Sequence, residues 1–201
     1  MLIQRWMTTN PATIGPGEFL AQARQKMDNG DFRRLPVVEA GRLVGMITDR
    51  DLRQHANQLE HTRVLTAMTT PVIIATPDML LDQAAVLFVR NKIGGLPVMD
   101  GGKLVGIITT IDMLRAFAEV LGTSEEGVSR IDLAFTGNSF DLAMIAQLVG
   151  QASGELLGMG TYEGEGARRD QILYVRVRAE DSRRVADMLS ENGFSVIAIH
   201  S

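Results

Sequence analysis

The sequence of 201 residues contains no cysteine, only one tryptophan and no long apolar run. The lack of cysteine excludes disulfides, thiol catalysis and cysteine-ligated metal sites. No window approaches the roughly 20 apolar residues that span a bilayer, and the first residues do not form a signal-peptide pattern. We therefore expect a cytoplasmic protein that makes no contact with a membrane.

Charge of one sign is not in large excess either, because the net charge is −4 and the sequence pI is about 5.4. A protein that binds duplex nucleic acid usually has a basic face, so we expect no nucleic-acid partner. The sequence contains no Walker loop and no nucleophile-elbow string. Because no nucleophile–base pair is visible, we do not expect an enzyme.

The sequence repeats itself without a gap when it is shifted by 61 residues. Such self-similarity indicates a structural repeat, and two copies favour one domain with two similar halves over a solenoid. The matched strings include Met7-Thr8-Thr9 with Met68-Thr69-Thr70, Gln22-Ala23 with Gln83-Ala84, Leu35-Pro36-Val37 with Leu96-Pro97-Val98, Leu43-Val44-Gly45 with Leu104-Val105-Gly106, and Ile47-Thr48 with Ile108-Thr109.

Both copies have the same predicted order of elements, β-α-β-β-α. An extended piece, at 11–14 or 72–75, precedes a helix whose apolar residues recur at helical spacing. Two short apolar runs follow, and the glycine in the short connection between them is typical of a hairpin. A closing helix starts near Thr48 in the first copy and near Thr109 in the second. The pattern therefore predicts an α+β fold.

The string Gly-apolar-Ile-Thr-x-x-Asp occurs in both copies, at 45–51 and 106–112. One interpretation is a variant of the capping box, which only starts a helix. In the other, free N–H groups at the helix start and the Thr hydroxyl bind phosphate, while the Asp carboxylate accepts two hydrogen bonds from the ribose. The repetition of the string beside the other matched strings favours the second interpretation.

Taken together, these strings resemble a tandem pair of cystathionine-β-synthase-type (CBS) motifs, a Bateman module, over residues 7 to about 118. The resemblance implies a regulatory protein that binds AMP, ADP, ATP or S-adenosylmethionine in clefts between the repeats. It implies that Thr48 and Thr109 contact phosphate or sugar. It also implies that Asp51 and Asp112 hold the ribose. The apolar walls that we expect for adenine are Ile14 and Pro36 in one cleft, and Ile74 and Pro97 in the other.

The two copies differ just before their first hairpin strand, where Arg33-Arg34 in one corresponds to Gly94-Gly95 in the other. In the family that the repeats resemble, basic side chains at this place often reach the phosphates, and arginine suits phosphate through its planar fork. The alternative is that both arginines are solvated surface residues. Asp49, which corresponds to Thr110, could repel a phosphate. We therefore expect two unequal clefts, of which the arginine-bearing one prefers a charged nucleotide.

The last third of the chain has a different pattern. Residues 122–129 are polar and contain glycine, which predicts a linker. Residues 130–201 have the predicted order β-α-β-β-α-β of a ferredoxin-like fold and resemble an ACT domain, a small regulatory fold that often binds amino acids at subunit interfaces. The whole arrangement resembles acetoin-utilisation-type proteins. The segment Gly137-Asn138-Ser139 is either a speculative site for an amino-acid carboxylate or only a turn that starts a helix.

These patterns predict a CBS pair at 1–121, with repeats at about 1–60 and 61–121, then the linker and the ACT-like domain. We expect a homodimeric sensor that has no metal and no catalytic cofactor, and that passes the binding of an adenosyl ligand to a regulated enzyme. Two alternatives stay open. One is a docking module that needs no ligand, and the other is an amino-acid sensor that acts through the ACT-like domain.

Overall fold

The computed structural model describes residues 1–121, 127–135, 140–164 and 171–200. The chain forms two compact units, Met1–Ala116 and Phe117–Ser201, which we call the N-terminal unit and the C-terminal unit. No helix in the described ranges combines the length and the apolar character that crossing a membrane requires.

Each repeat of the N-terminal unit contains one antiparallel hairpin. The hairpin strands are β2 (Arg34–Glu39) and β3 (Arg42–Thr48) in the first repeat, and β4 (Gly95–Asp100) and β5 (Lys103–Thr109) in the second. Both turn residues have a positive φ in each hairpin, at 40–41 and at 101–102. Two such residues define the turn that matches the twist of paired strands. The predicted hairpins are therefore confirmed.

Helices cover one side of each hairpin and close a separate core in each repeat. The long helices α1 (Leu20–Gly30) and α4 (Leu81–Asn91) begin alike. Gln22 accepts a hydrogen bond from the Phe19 N–H (2.8 Å), and Gln83 accepts one from the Leu80 N–H (3.1 Å). This satisfies a donor that the helix itself leaves free and explains why glutamine recurs in the repeat. The other helices of this unit are α2 (Asp49–Gln54), α3 (Val64–Ala67) and α5 (Thr110–Val120).

The two repeats exchange the segments that precede their helices. Strand β1 (Thr8–Thr9) belongs to the first repeat by sequence but pairs with β5 of the second. Reciprocally, Thr69 of the second repeat pairs with Met46 in β3 of the first. The extended pieces predicted at 11–14 and 72–75 are not full strands, because each makes a single parallel bridge, through Ile14 and Ala75. The exchange brings residues of both repeats to each cleft.

The strands of the C-terminal unit are β6 (Val128–Phe135), β7 (Glu155–Glu163), β8 (Gln171–Arg178) and β9 (Ser195–His200). They form one four-stranded antiparallel sheet with the order β7-β8-β6-β9. The elements follow the order β-α-β-β-α-β, as in a ferredoxin-like fold. Both helices pack on one face of the sheet and bury an aliphatic core. These helices are α6 (Leu142–Gln151) and α7 (Ser182–Glu191).

The sequence predictions differ from this unit in two places. Strand β6 begins at Val128, inside the predicted linker at 122–129, because pairing with β8 extends over both its ends. Helix α6 begins at Leu142, and its N-cap is Asp141, whose carboxylate accepts from the Met144 N–H at 2.9 Å. The proposed turn Gly137-Asn138-Ser139 and most of the linker, 122–126, lie outside the described residues.

One carboxylate of the C-terminal unit, that of Asp132 on β6, is buried, and both of its oxygens accept hydrogen bonds. Arg130 donates to it twice, at 2.6 and 3.0 Å, and the Tyr162 hydroxyl donates at 2.9 Å. The His200 Nε2 lies 3.5 Å from the same carboxylate. Burial pushes the pKa of Asp132 up, but the hydrogen bonds from Arg130 and Tyr162 outweigh burial, so the pKa is lowered overall.

Candidate functional site

Two cavities lie between the repeats of the N-terminal unit, and each is lined by both repeats. The first cleft, of about 460 Å³, contains Thr48 and Asp51 of the first repeat together with residues 71–73 and 92–95 of the second. The second cleft, of about 650 Å³, contains Thr109 and Asp112 of the second repeat together with residues 10–12 and 30–34 of the first. Most of the residues that line the first cleft correspond, at a shift of 61 positions, to residues that line the second.

The threonine and aspartate of each string bond to each other. In the first cleft, the Thr48 hydroxyl and backbone N–H both donate to Asp51 Oδ2, at 2.6 and 2.8 Å. In the second, Thr109 makes the same two bonds to Asp112 Oδ2, at 2.6 and 2.9 Å. The single hydroxyl proton of each threonine is thus donated to an aspartate, so the threonine orients the carboxylate.

The backbone at the helix starts is also largely occupied. The Asp49 N–H donates to the Arg33 carbonyl at 2.9 Å, and the Thr110 N–H donates to the Gly94 carbonyl at 3.2 Å. The N–H groups of Asp51 and Asp112 point to the hydroxyls of their threonines, at 3.5 and 3.3 Å. Most of the N–H groups at these two helix starts are therefore already bonded within the protein.

The second oxygen, Oδ1, differs between the two aspartates. Asp112 Oδ1 lies 3.6 Å from the Arg115 guanidinium, and the side chain is nearly buried. The residue that matches Arg115 in the first repeat is Gln54, which carries no charge. Within the part of the chain that the structure describes, Asp51 Oδ1 has no hydrogen-bond or ion-pair partner. Asp51 is therefore the carboxylate with more capacity to accept hydroxyl groups of a ligand.

Arg34 lies at the boundary of the two cavities and lines both. Its guanidinium occupies the space beside Gly94 and Gly95, since a Cβ on Gly95 would lie 2.5 Å from Arg34 Nη1. Burial lowers the pKa of this guanidinium, and the neighbouring charge of Arg33 lowers it further. Among the described residues, no carboxylate forms an ion pair with Arg34. Arg34 is thus a half-buried cation without a counter-charge.

Asp49, which the sequence suggested would repel a phosphate, is neutralised by two arginines. Its Oδ1 lies 2.8 Å from Arg24 Nη1, and its Oδ2 forms an ion pair with Arg53. An anion entering the first cleft therefore meets an acidic group whose charge is already balanced. One of the two ion pairs comes from Arg24, 25 residues away in sequence, so the local sequence alone does not show how far this possible obstacle to phosphate binding is reduced.

The apolar candidates divide between the core and the clefts. Pro36 lines the second cleft. Ile14 lines neither cavity, because its backbone bridges to β2 and its side chain is buried in the core of the first repeat. Ile74 is exposed and Pro97 is buried within β4, and neither belongs to the described linings. The apolar residues that do line the first cleft are Met46, Pro71, Val72, Ile73 and Ile93.

Comparison with known proteins identifies the family. The model of the CBS domain matches residues 3–57 and 63–119, which are more than half of the chain. The chain belongs to the CBS domain family, and its N-terminal unit is a tandem CBS pair. In the described residues, no group of three or more metal-binding side chains is present.

Two curated relatives show how much of the chain is shared. The CBS domain-containing protein YhcV of Bacillus subtilis is 37% identical over 110 residues, which are 53% of this chain and 79% of that protein. Inosine-5′-monophosphate dehydrogenase of Mycobacterium leprae is 35% identical over 158 residues, which are 77% of this chain. The chain spans only 30% of the length of that enzyme.

Three solved structures resemble the CBS pair. The CBS domain pair of protein MJ0100, in complex with 5′-methylthioadenosine and S-adenosyl-L-methionine, has a TM-score of 0.56 and 29% identity, and the match covers 59% of this chain and 97% of that one. CBSX2 in complex with AMP has a TM-score of 0.55 and 27% identity, with 60% and 98% covered. A protein from Vibrio cholerae described as an acetoin utilization protein (AcuB) has a TM-score of 0.56 and 31% identity, with 63% and 96% covered.

Proposed function

We propose that this protein is a regulatory sensor whose CBS pair binds an adenosyl ligand in the clefts between its repeats. The observation that carries the proposal is the first cleft, where a carboxylate oriented by Thr48 and an uncompensated Arg34 line one cavity. Both cavities fall in the range of about 300–1,000 Å³ that small-molecule ligands occupy. The ligands of MJ0100 and CBSX2 share an adenosine group, which is the class of ligand proposed here.

The proposed roles follow from the chemistry of each side chain. Asp51 and Asp112 accept hydrogen bonds from the ribose hydroxyls, because a carboxylate is an acceptor at both oxygens. Thr48 and Thr109 hold these carboxylates in place. The arginines at 33 and 34 supply the charge for a phosphate, which their planar forks bind at two points. Adenine packs on the apolar residues of the exchanged segments, and Ile14 supports one of these segments from the core.

Calorimetric titration of the whole chain with AMP, ADP, ATP, S-adenosylmethionine and NADH tests the proposal. We expect AMP or another adenosyl compound to bind, and the variant with both Asp51→Asn and Asp112→Asn to bind at least about tenfold more weakly, since hydrogen bonds to charged groups contribute about 1.5–3 kcal/mol each. Asp141→Asn is the matched control, because it changes a helix N-cap in the C-terminal unit and should leave binding unchanged.

Two results would contradict the proposal. If none of the five compounds binds, the clefts are not adenosyl sites, and the docking module that needs no ligand becomes the better explanation. If an adenosyl compound binds but the aspartate variants bind it equally well, the ligand lies outside these clefts. A thermal-shift screen of amino acids on the same protein tests the amino-acid sensor, for which the ferredoxin-like order of the C-terminal unit is the supporting observation.

We also propose that the sensor is a homodimer that contacts itself through the helices of the second repeat. Val89 on α4 and Leu114 on α5 are 77% and 63% exposed, whereas the matching residues of the first repeat are the charged Asp28 and Arg53. Apolar side chains on only one of two equivalent surfaces favour an interface at that surface. Such an interface, together with the ACT-like C-terminal unit, would pass the ligand signal to a regulated enzyme.

Light scattering after size-exclusion chromatography tests the dimer. Leu114→Arg introduces the residue that the first repeat has at this position, and we expect it to convert the dimer to a monomer. Leu65→Arg changes another exposed leucine, on α3, and should leave the dimer intact. A wild-type protein that elutes as a monomer, or a Leu114→Arg variant that stays dimeric, would exclude this interface.

A further inference from the structure

Only one of the two equivalent positions at the boundary between the clefts carries a cation. The shift of 61 residues matches Arg34 with Gly95 and Arg33 with Gly94. A Cβ on Gly94 would lie 2.7 Å from Arg34 Nη2, and one on Gly95 would lie 2.5 Å from Nη1 and 2.6 Å from Cδ. Both glycines therefore make room for Arg34, and the geometry does not allow a second long side chain at the same place.

The other cations of the two clefts are unequal. In the second cleft, Arg115 is paired with Asp112 at 3.6 Å, so a phosphate there depends on the arginines at the boundary. In the first cleft, Arg53 is paired with Asp49, but Arg50 and Lys92 are exposed at the rim. Besides the paired Arg53, the first cleft thus has two cations that the second cleft lacks. Apart from the paired Arg115, the cations of the second cleft are Arg33 and Arg34, which line both clefts.

We infer that the two clefts compete for Arg34, so that a phosphorylated adenosyl ligand in the first cleft excludes a second one from the second cleft. The inference rests on the proposed function. Arg33 also lines both clefts, but it is exposed to solvent, whereas Arg34 is half-buried. Arg34 is therefore the cation that a phosphate in either cleft would approach away from water. One guanidinium cannot balance two phosphate groups, and two such anions near it repel each other because water screens them poorly there. The second cleft then accepts an adenosyl compound that has no phosphate.

Two probes separate the clefts in calorimetric titrations of the whole chain: AMP, which carries a phosphate, and 5′-methylthioadenosine, which does not. We expect one AMP per chain. We also expect 5′-methylthioadenosine to bind once to protein already saturated with AMP. Two equivalent AMP molecules per chain, or displacement of AMP by an equimolar amount of 5′-methylthioadenosine at a single site, would overturn the inference.

Substitutions on both sides of the boundary test whether Arg34 is the shared group. Arg34→Gly copies the matching residue of the second repeat, and we expect it to weaken AMP binding about tenfold to a hundredfold, as loss of a charge-assisted contact does, while 5′-methylthioadenosine binds within about twofold of wild type. Gly95→Ala displaces the guanidinium without removing it and should weaken AMP in the same direction. Arg42→Gly, in the β2–β3 hairpin outside both linings, controls for the loss of one positive charge.

The outcomes distinguish this inference from the proposed function. If neither probe binds wild type, both fail. If AMP binds twice with equal affinity and the aspartate variants abolish both events, the proposed function stands and the competition is refuted. If Arg34→Gly weakens both probes equally, Arg34 supports the shape of the clefts and does not select for phosphate, which also refutes the inference.

Discussion

Replacing Arg34 with methionine should stabilise the ligand-free protein. The charged guanidinium is half-buried, and burial together with the neighbouring charge of Arg33 lowers its pKa, which means that the folded state disfavours the charge. Methionine has a similar length and an adaptable apolar side chain, and Gly94 and Gly95 leave the space open. Removing a partly solvated, unpaired charge should raise the free energy of unfolding by about 1 kcal/mol.

The distribution of aromatic residues provides a separate signal for each unit. Trp6, the only tryptophan, packs against the core of the second repeat, and both tyrosines, Tyr162 and Tyr174, belong to the C-terminal unit. Urea unfolding followed by indole fluorescence therefore reports the N-terminal unit. We expect the transition of Arg34→Met at a higher urea concentration and its melting temperature raised by about 4 °C. Arg33→Met, at an exposed position, should change the unfolding free energy by less than about 0.5 kcal/mol.

Addition of AMP should reverse the order of stability of wild type and Arg34→Met. At about 100 times its Kd, the ligand stabilises wild type by about 2.7 kcal/mol, whereas a variant that binds a hundredfold more weakly gains only about 0.4 kcal/mol. Wild type then becomes the more stable protein. If Arg34→Met is less stable than wild type without ligand, Arg34 makes a stabilising contact and the interpretation of it as an uncompensated charge is wrong.

Two further changes test other contacts. Asp132→Asn should lower the unfolding free energy of the C-terminal unit, followed by tyrosine absorbance, by about 2 kcal/mol, while Glu155→Gln in the exposed pair with Arg178 should cost less than about 0.5 kcal/mol. The folded unit lowers the pKa of Asp132 from its ordinary value of 3.8. The difference in unfolding free energy between wild type and Asp132→Asn should therefore reach its full size above pH 3.8 and vanish as the pH falls through the folded pKa. Gly106→Ala should cost the N-terminal unit about 2 kcal/mol in indole-monitored unfolding, since its Cβ would lie 3.0 Å from the Thr8 carbonyl oxygen. The three atoms nearest to a Cβ on Gly45 all belong to the Met68 side chain, which is flexible, so Gly45→Ala should cost less. Equal losses of unfolding free energy in Asp132→Asn and Glu155→Gln, or in Gly106→Ala and Gly45→Ala, would contradict these contacts.

Much of the local structure could be predicted because it depends on neighbouring residues. Glycine or alanine–glycine turns between apolar runs determine hairpins by their positive φ, and both occur where expected. The threonine and aspartate of the repeated string start a helix three residues apart, and they do so in both copies. Even here the local rule was incomplete, because the threonine proton is committed to the aspartate.

Other features depend on residues far apart in the chain. Ile14 was expected to face a ligand, but pairing with Val37 directs it into the core. The sequence left open that Asp49 repels a phosphate, but Arg24, 25 residues away in sequence, helps to balance its charge. The start of β6 at Val128 follows from its pairing with β8, which a polar segment read on its own does not reveal.

The sequence by itself determined that the chain contains two similar halves, that each half carries a Thr-x-x-Asp string, and that the halves differ at Arg33-Arg34 and Gly94-Gly95. Periodicity, turn residues and self-similarity are local properties, so they are visible in the letters. Only the tertiary structure decided that the halves exchange segments, so that each cleft combines an aspartate of one repeat with residues of the other. It also decided that the Arg34 guanidinium lies against Gly94 and Gly95, which stand where the first repeat has Arg33 and Arg34. Contacts between distant segments depend on how the two halves pack. Because the halves pack with Arg34 between the clefts, this arginine lines both.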